Sequence, residues 1–214
     1  MRSLSHFAAM LTTLVLLAPA SATAQARTSG TGDYAKRFAA ECASCHGAEG
    51  RSETPGTPHL AGQHSYYAVT QLFLFREGRR GNETMTAVAK SLKDDDLRGF
   101  SDFIGTLAPL PAAAPAEPLD DARMTRGHAL AQQQKCLFCH GEDMSGGQQV
   151  PRVAGQREEY LRASLEGYRT RTRVGYTRAM LEPMSGLSAE DAETLAYYAA
   201  HLPAAAGKQS RGSK

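Results

Sequence analysis

The sequence lacks several features that would assign it to a common class of protein. It contains no tryptophan, and its 214 residues hold one long apolar run, the twelve residues Phe7–Ala18. That run is too short to cross a bilayer, which needs about 20 apolar residues. The formal net charge is only +2, and Lys208, Arg211 and Lys214 of the last eight residues supply more than this. We therefore expect neither a segment that spans a membrane nor a basic surface for nucleic acid.

The apolar run predicts export. It follows Arg2 and precedes small residues that suit cleavage after Ala24 or Ala26. A positive start, a short apolar core and small residues are typical of a secretory signal peptide. We therefore expect residues 1–26 to be removed and the mature chain to act outside the cytoplasm; an uncleaved anchor is the alternative.

Alternation of apolar and polar residues is also missing, which predicts almost no β-sheet. The sequence does contain an internal repeat. Cys42–Gly47 recurs at 136–141, an offset of 94, and Pro58–Gln63 recurs at 151–156, an offset of 93. Such regular offsets predict a tandem duplication of a unit of about 80–90 residues.

A proline-rich segment separates the two copies and predicts an extended linker, because proline disfavours helix. The predicted organisation is a signal peptide at 1–26, domains at 27–108 and 120–206, a linker at 109–119 and a basic tail at 207–214.

Each copy predicts a set of helices, so the expected fold is all-α. Helices near Asp33–Glu41 and Met124–Lys135 lead into the cysteine pairs, and Ser188 with Asp191 predicts a capped final helix. Apolar stripes at helical spacing mark the others: Tyr67, Leu72 and Phe75; Tyr160, Leu165 and Tyr168; Leu97, Phe100, Ile104 and Leu107; Ala192, Leu195, Ala199 and Leu202.

The four cysteines form two C-x-x-C-H motifs, the attachment signature of c-type haem. Two cysteines one helical turn apart can form thioether bonds to one porphyrin edge, and the adjacent histidine then lies under the iron. A thioredoxin-like redox pair would lie in a βαβ unit, which this pattern lacks. A zinc site would not require a histidine after each pair. We predict two covalent haems, held by Cys42, Cys45 and His46 and by Cys136, Cys139 and His140.

The second axial ligand decides whether such an iron carries electrons or reacts with small molecules. Met85 is the one methionine after the first haem motif in copy one. In copy two Met180 matches it in register, because each lies seven residues before a leucine; Met184 stays as the alternative, and Met144 is too close to His140. We predict Met85 and Met180 as iron ligands.

Other polar residues have predicted supporting roles. A haem-ligating histidine usually donates its second N–H to a carbonyl, and the carbonyls of Pro58 and Pro151 are suitably placed in sequence. The candidates for bonding the haem propionates are Gln63, Gln156, Tyr67, Tyr160, Arg79 and Arg173. Histidines without a repeat partner are expected in surface or packing roles: His59, His64, His128 and His201.

These motifs resemble those of class I c-type cytochromes, and their doubling resembles the dihaem cytochrome c4 family over about Asp33 to Leu202. The resemblance implies two tandem all-α haem domains around a pseudo-two-fold axis, with His/Met ligation of each iron. It also implies a periplasmic electron carrier between a quinol-oxidising cytochrome bc complex and terminal oxidases, with at most peripheral membrane association and no catalysis of its own.

Two alternatives remain open from the sequence. The dihaem subunit of flavocytochrome c sulfide dehydrogenase has a similar two-domain plan, so the chain could serve a dehydrogenase. A dihaem peroxidase or thiosulfate dehydrogenase would need an open or unusually ligated iron. The one feature that leaves room for this is the uncertainty between Met180 and Met184 as ligand of the second haem.

Overall fold

The computed structural model describes residues 31–109, 117–173 and 178–203. The predicted signal peptide, most of the predicted linker and the basic tail lie outside these residues. Within them the chain is helical, with no strand and a single isolated bridge between Gly147 and Val150.

The first half contains five helices. They are α1 (Thr31–Glu41), α2 (Ala43–His46), α3 (Ser65–Arg76), α4 (Glu83–Lys90) and α5 (Asp94–Thr106). The second half contains α6 (Asp121–Gln133), α7 (Cys136–His140), α8 (Glu158–Arg169), a 3₁₀ turn at Arg178–Met180, α9 (Leu181–Met184) and α10 (Ala189–His201).

The order and packing of these helices repeat between the halves. The first helix of each half packs against the last, α1 on α5 and α6 on α10, and the middle helices α3 and α8 pack on the same last helices. The structure confirms the two tandem all-α units that the repeat predicts, whereas the exact domain boundaries stay a prediction.

Side-chain caps fix where several helices begin. Ser188 Oγ accepts a bond of 3.0 Å from the Asp191 N–H at the start of α10, as the sequence predicts. Asn82 Oδ1 accepts one of 2.8 Å from the Met85 N–H and so starts α4. Each cap satisfies an N–H that the helix leaves without an internal partner.

Each half has its own apolar core, built largely from the predicted stripes. Phe38 and Phe100 are 1% and 2% exposed and occupy the centre of the first core.

In the second core Leu187, Leu195 and Tyr198 pack with Met144 and Met184. Half-buried Cys42 and Cys136 lie against these cores, so each cysteine motif is held at the edge of a packed unit.

Candidate functional site

The cysteine pairs lie on the short helices that follow the first helix of each half. Cys42 joins α1 to α2, and its carbonyl accepts bonds from the N–H groups of Cys45 and His46 at 3.3 and 3.0 Å. All four thiols are free; Cys42 and Cys136 are half-buried, and Cys45 and Cys139 are exposed. Burial raises the pKa of Cys42 to about 11, and it raises the pKa of Cys136 as well. The thiols are thus unpaired and spaced by one helical turn, as attachment to a planar group requires.

The histidine that follows each pair is buried and held by one backbone carbonyl. His46 Nδ1 donates to the Pro58 carbonyl oxygen at 3.0 Å, and His140 Nδ1 donates to that of Pro151 at 3.0 Å. These are the two carbonyls that the sequence predicts. The bonds fix the tautomer and orientation of each ring and leave Nε2 with its lone pair for a metal. Burial lowers the pKa of both histidines, which favours the neutral imidazole that binds iron.

Glycine after each histidine lets the chain turn away from the helix. Gly47 and Gly141 have φ values of +80° and +81°, a region that disfavours other residues. A Cβ atom on Gly47 would lie 2.0 Å from the Arg51 carbonyl oxygen. The turn therefore belongs to the motif itself and lets the following loop return beneath the histidine.

The candidate methionines occupy different environments. Met85 lies in the first turn of α4 and Met180 ends the 3₁₀ turn before α9; both are half-buried. Met184 is 2% exposed within the second core, and its counterpart Ala89 is 0% exposed. Met144 is also in that core, at 3% exposure, as expected for a residue too close to His140 to reach the opposite face.

Two glutamines that are candidates for bonding the haem propionates bridge the two halves. Gln63 Oε1 accepts from the Arg152 N–H at 3.0 Å, and its Nε2 donates to the Arg152 carbonyl at 3.1 Å. Gln156 makes the same pair of bonds with the backbone of His59, at 2.7 and 2.9 Å. Both amide groups bind backbone of the opposite half, and a contact with the propionates stays a prediction.

A tyrosine and arginine cluster forms the second part of the interface. Arg80 Nη2 donates to Tyr160 Oη at 2.8 Å, and Arg173 Nη2 donates to Tyr67 Oη at 3.3 Å. Arg80, rather than the predicted Arg79, is the counterpart of Arg173, and Arg79 is exposed. Burial alone would raise the pKa of Tyr160, but the two arginines outweigh it and lower the pKa.

Sequence reasoning missed the interface role of two histidines. His64 Nε2 lies 2.9 Å from the Ser145 carbonyl oxygen in the opposite half. His59 Nδ1 accepts from the Ser52 N–H at 3.0 Å while its backbone binds Gln156. His128 and His201 occupy surface or packing positions, as expected: exposed His128 lies against Tyr198 and half-buried His201 against Tyr197. The repetition of Pro58–Gln63 at 151–156 could have indicated this interface, since both copies of the segment contribute contacts to it.

The donor sets fit haem c in both halves. Each brings together two free thiols one turn apart and a neutral imidazole whose orientation is fixed and whose Nε2 is left for iron. No cluster of acidic, histidine and cysteine side chains suited to another metal occurs among the residues placed by the structure. The fold and these two sites define a tandem c-type cytochrome.

Comparison with known proteins agrees. The cytochrome c family profile matches residues 33–108 and 124–203. Cytochrome c4 of Thiocapsa roseopersicina is 33% identical over 145 residues, 65% of this chain and 75% of that protein. The thiosulfate dehydrogenase electron acceptor of Thiomonas intermedia is 30% identical over 167 residues, 74% of this chain and 76% of that protein.

The solved structure of reduced cytochrome c4 from Pseudomonas stutzeri superposes with a TM-score of 0.70 at 25% identity, covering 81% of this chain and 98% of that one. The chain belongs to the cytochrome c family, as a dihaem member of the cytochrome c4 group. It carries two covalently bound haem c groups and serves as an electron carrier. In the part of the chain that the structure describes, no helix is long and apolar enough to span a membrane.

Proposed function

We propose that this dihaem carrier works in the periplasm, between a quinol-oxidising cytochrome bc complex and terminal oxidases or other acceptors. When bound, each haem supplies an iron that accepts and releases one electron. The observation that supports the proposal is the doubled site: His46 and His140 are 7% and 6% exposed, and each Nδ1 donates to a proline carbonyl oxygen at 3.0 Å. Two matched redox sites in one chain suit transfer of single electrons between protein partners.

We propose His46 and Met85 as the axial ligands in the first half, and His140 and Met180 in the second. Met85 and Met180 are both half-buried and both precede a leucine that is 6% exposed, Leu92 or Leu187. Met184 and Ala89 occupy equivalent, buried positions in the two halves. Alanine has no atom that could bind iron, so this position is not a ligand position in the first half. With a histidine and a methionine held by the chain for each iron, no coordination position would stay open, which would favour electron transfer over catalysis.

The chain supplies orientation and burial at each site. The Pro58 and Pro151 carbonyls hold the imidazoles, and the four thiols Cys42, Cys45, Cys136 and Cys139 provide the covalent attachment. We further propose that residues 1–26 are a cleaved signal peptide and that the haem domains comprise 27–108 and 120–206.

One comparison favours a second candidate function, electron acceptance from a dehydrogenase. A relative that is 30% identical bears the name thiosulfate dehydrogenase electron acceptor, and 74% of this chain aligns with it. In this case thiosulfate oxidation by another enzyme would supply the electrons, and this chain would remain a carrier.

The test measures which donor reduces the oxidised holoprotein, produced in a host that performs cytochrome maturation. Mass spectrometry first counts the attached haems, with two expected and fewer overturning the proposal. Stopped-flow spectroscopy then compares quinol with a cytochrome bc complex against thiosulfate with thiosulfate dehydrogenase. Fast reduction through the bc complex alone supports the first candidate; fast reduction through the dehydrogenase alone overturns it in favour of the second.

A further inference from the structure

One peptide group in the first half takes part in two hydrogen bonds that point in opposite directions. The Pro58 carbonyl accepts from His46 Nδ1 at 3.0 Å. The N–H of the same peptide group, which belongs to His59, donates to Gln156 Oε1 at 2.7 Å. A continuous hydrogen-bonded chain therefore runs from the first haem's histidine to an amide of the second half.

The second half contains the mirrored arrangement. The Pro151 carbonyl accepts from His140 Nδ1 at 3.0 Å. The N–H of that peptide group, on Arg152, donates to Gln63 Oε1 at 3.0 Å. Each histidine is thus linked through one peptide group to a glutamine that belongs to the other domain.

The glutamines are fixed in this orientation. Gln156 Nε2 donates to the His59 carbonyl at 2.9 Å, and Gln63 Nε2 donates to the Arg152 carbonyl at 3.1 Å. Both side chains are buried, at 7% and 8% exposure. An exchange of Oε1 and Nε2 would place a donor against an N–H and an oxygen against a carbonyl, so only the orientation described makes two good bonds.

This series of hydrogen bonds from histidine to glutamine affects the electronic properties of the histidine. A peptide N–H that donates to an acceptor polarises its own group, which makes the carbonyl a stronger acceptor. A stronger acceptor draws the imidazole proton outward and raises the basicity of the ring as a ligand. A more basic ligand stabilises ferric iron relative to ferrous iron and lowers the reduction potential.

We propose that Gln156 and Gln63 are positioning residues, each of which lowers the reduction potential of the haem in the opposite domain. This inference rests on the proposed ligation of iron by His46 and His140. The domain interface then contributes to both potentials, because contact between the halves polarises the carbonyl that each histidine binds.

The experiment is a pair of crossed substitutions in the full-length holoprotein, Gln156→Leu and Gln63→Leu. Spectroelectrochemistry gives the two potentials, and paramagnetic NMR assigns them, using Met85→Ala to identify the first haem. Gln156→Leu is expected to raise the potential of the first haem and to shift the Nδ1 proton signal of His46. Gln63→Leu is expected to change the second haem and His140 instead.

Matched variants separate this effect from loss of domain contact. Gln156→Glu keeps an acceptor for the His59 N–H, so the first potential is not expected to rise. Gln132→Leu, on the exposed face of α6, should leave both potentials unchanged. Equal shifts at both haems in each Leu variant, or a shift confined to the haem of the substituted domain, would overturn the inference.

Failure of the proposed ligation would look different. Unsubstituted protein would then lack the hyperfine-shifted imidazole signals of His46 and His140. If only the inference fails, those signals and both His/Met spectra stay intact, and the Gln→Leu substitutions leave both reduction potentials unchanged.

Discussion

A residue in this chain has its role set by the atoms around it more than by its type. His46 is buried and His59 half-buried, yet His46 uses Nδ1 to donate to the Pro58 carbonyl, whereas His59 uses Nδ1 to accept from the Ser52 N–H. The first arrangement leaves Nε2 for iron, whereas the second serves the interface. Methionines divide in the same way, between half-buried Met85 and Met180 and the core residues Met144 and Met184.

The axial ligands give a prediction at the residue scale. Met85→Ala or Met180→Ala should leave the haem attached, abolish the ferric charge-transfer band of methionine ligation at that haem and lower its potential, because a methionine ligand raises the potential. Met184→Ala should keep both bands but destabilise the second half by about 2–5 kcal/mol, because it empties a packed position. Visible spectra and denaturant unfolding measure these effects. Loss of the band in Met184→Ala together with its retention in Met180→Ala would show that Met184 is the ligand.

His59 gives a prediction about pH. Burial, reinforced by the positive charges of Arg157 and Arg51, lowers its pKa to about 4, against about 6.5 in an unfolded chain. Between these values the unfolded state binds more protons, so the contribution of His59 to stability is present above pH 6.5 and is lost as pH falls towards 4. The expected loss is about 1–3 kcal/mol.

Urea unfolding at pH 7 and pH 4.5 measures this loss. His59→Asn keeps an acceptor for the Ser52 N–H but cannot titrate, so it should show a smaller change between the two values. An identical change in the variant and in the unsubstituted protein would exclude His59 as the titrating group.

At the scale of the element, the first and last helices of each half cross closely at a glycine and a tyrosine. Gly99 of α5 meets the ring of Tyr34 on α1, and Gly127 of α6 meets Tyr198 on α10. In the first half the glycine lies on the last helix and the tyrosine on the first, whereas in the second half the positions are reversed. The crossing therefore depends on a small residue paired with a large one, and either helix can supply either partner.

Gly127→Ala tests this crossing. The new Cβ would lie 2.4 Å from Tyr198 Cβ and 3.2 Å from the Thr194 carbonyl oxygen, so the helices must move apart. Overpacking of this kind costs about 1–3 kcal/mol, which thermal or urea unfolding of the second half would detect. Gly186→Ala is the control, because its Cβ would meet nothing within 4 Å. Equal stability of the two variants would mean that α6 and α10 tolerate separation.

At the scale of the whole molecule, the interface is made of matched polar contacts. Two glutamines that bind backbone across the interface and two arginine–tyrosine bonds connect the halves. Each contact has its counterpart about 93 residues along the chain. Buried polar groups of this kind require correct partners, because an unpaired group costs free energy. The interface therefore specifies one arrangement of the two haem domains.

Arg80 gives the prediction at this scale. Arg80→Leu removes the guanidinium bonds to Gln71 at 2.7 Å and Tyr160 at 2.8 Å, and should cost about 1–3 kcal/mol in urea unfolding. It should also raise the pKa of Tyr160, since Arg80 lowers it, which tyrosinate absorbance measures. Arg79→Leu, at the exposed neighbouring position, should change stability by no more than about 0.5 kcal/mol. Equal effects of the two substitutions would contradict the assignment of Arg80 to the interface.

Features that depend on local spacing could be predicted from the order of the residues alone. Two thiols and a histidine within five residues form a haem motif in any surroundings, and a repeat with a constant offset defines two similar units. The histidine–carbonyl bond was also predictable, because it lies within one repeat and recurs in the other. Helical stripes and the Ser188 cap follow from the same short-range geometry.

Which surfaces of the two units meet became visible only with both halves folded and packed together. Gln63 and Gln156 bind backbone that is 89 and 97 residues away in sequence, and Arg173 reaches Tyr67 across 106 residues. A repeat shows that two positions are equivalent, but not whether they face a cofactor, solvent or each other. That choice depends on how two folded halves pack, since each polar group must find a partner in the approach that buries it.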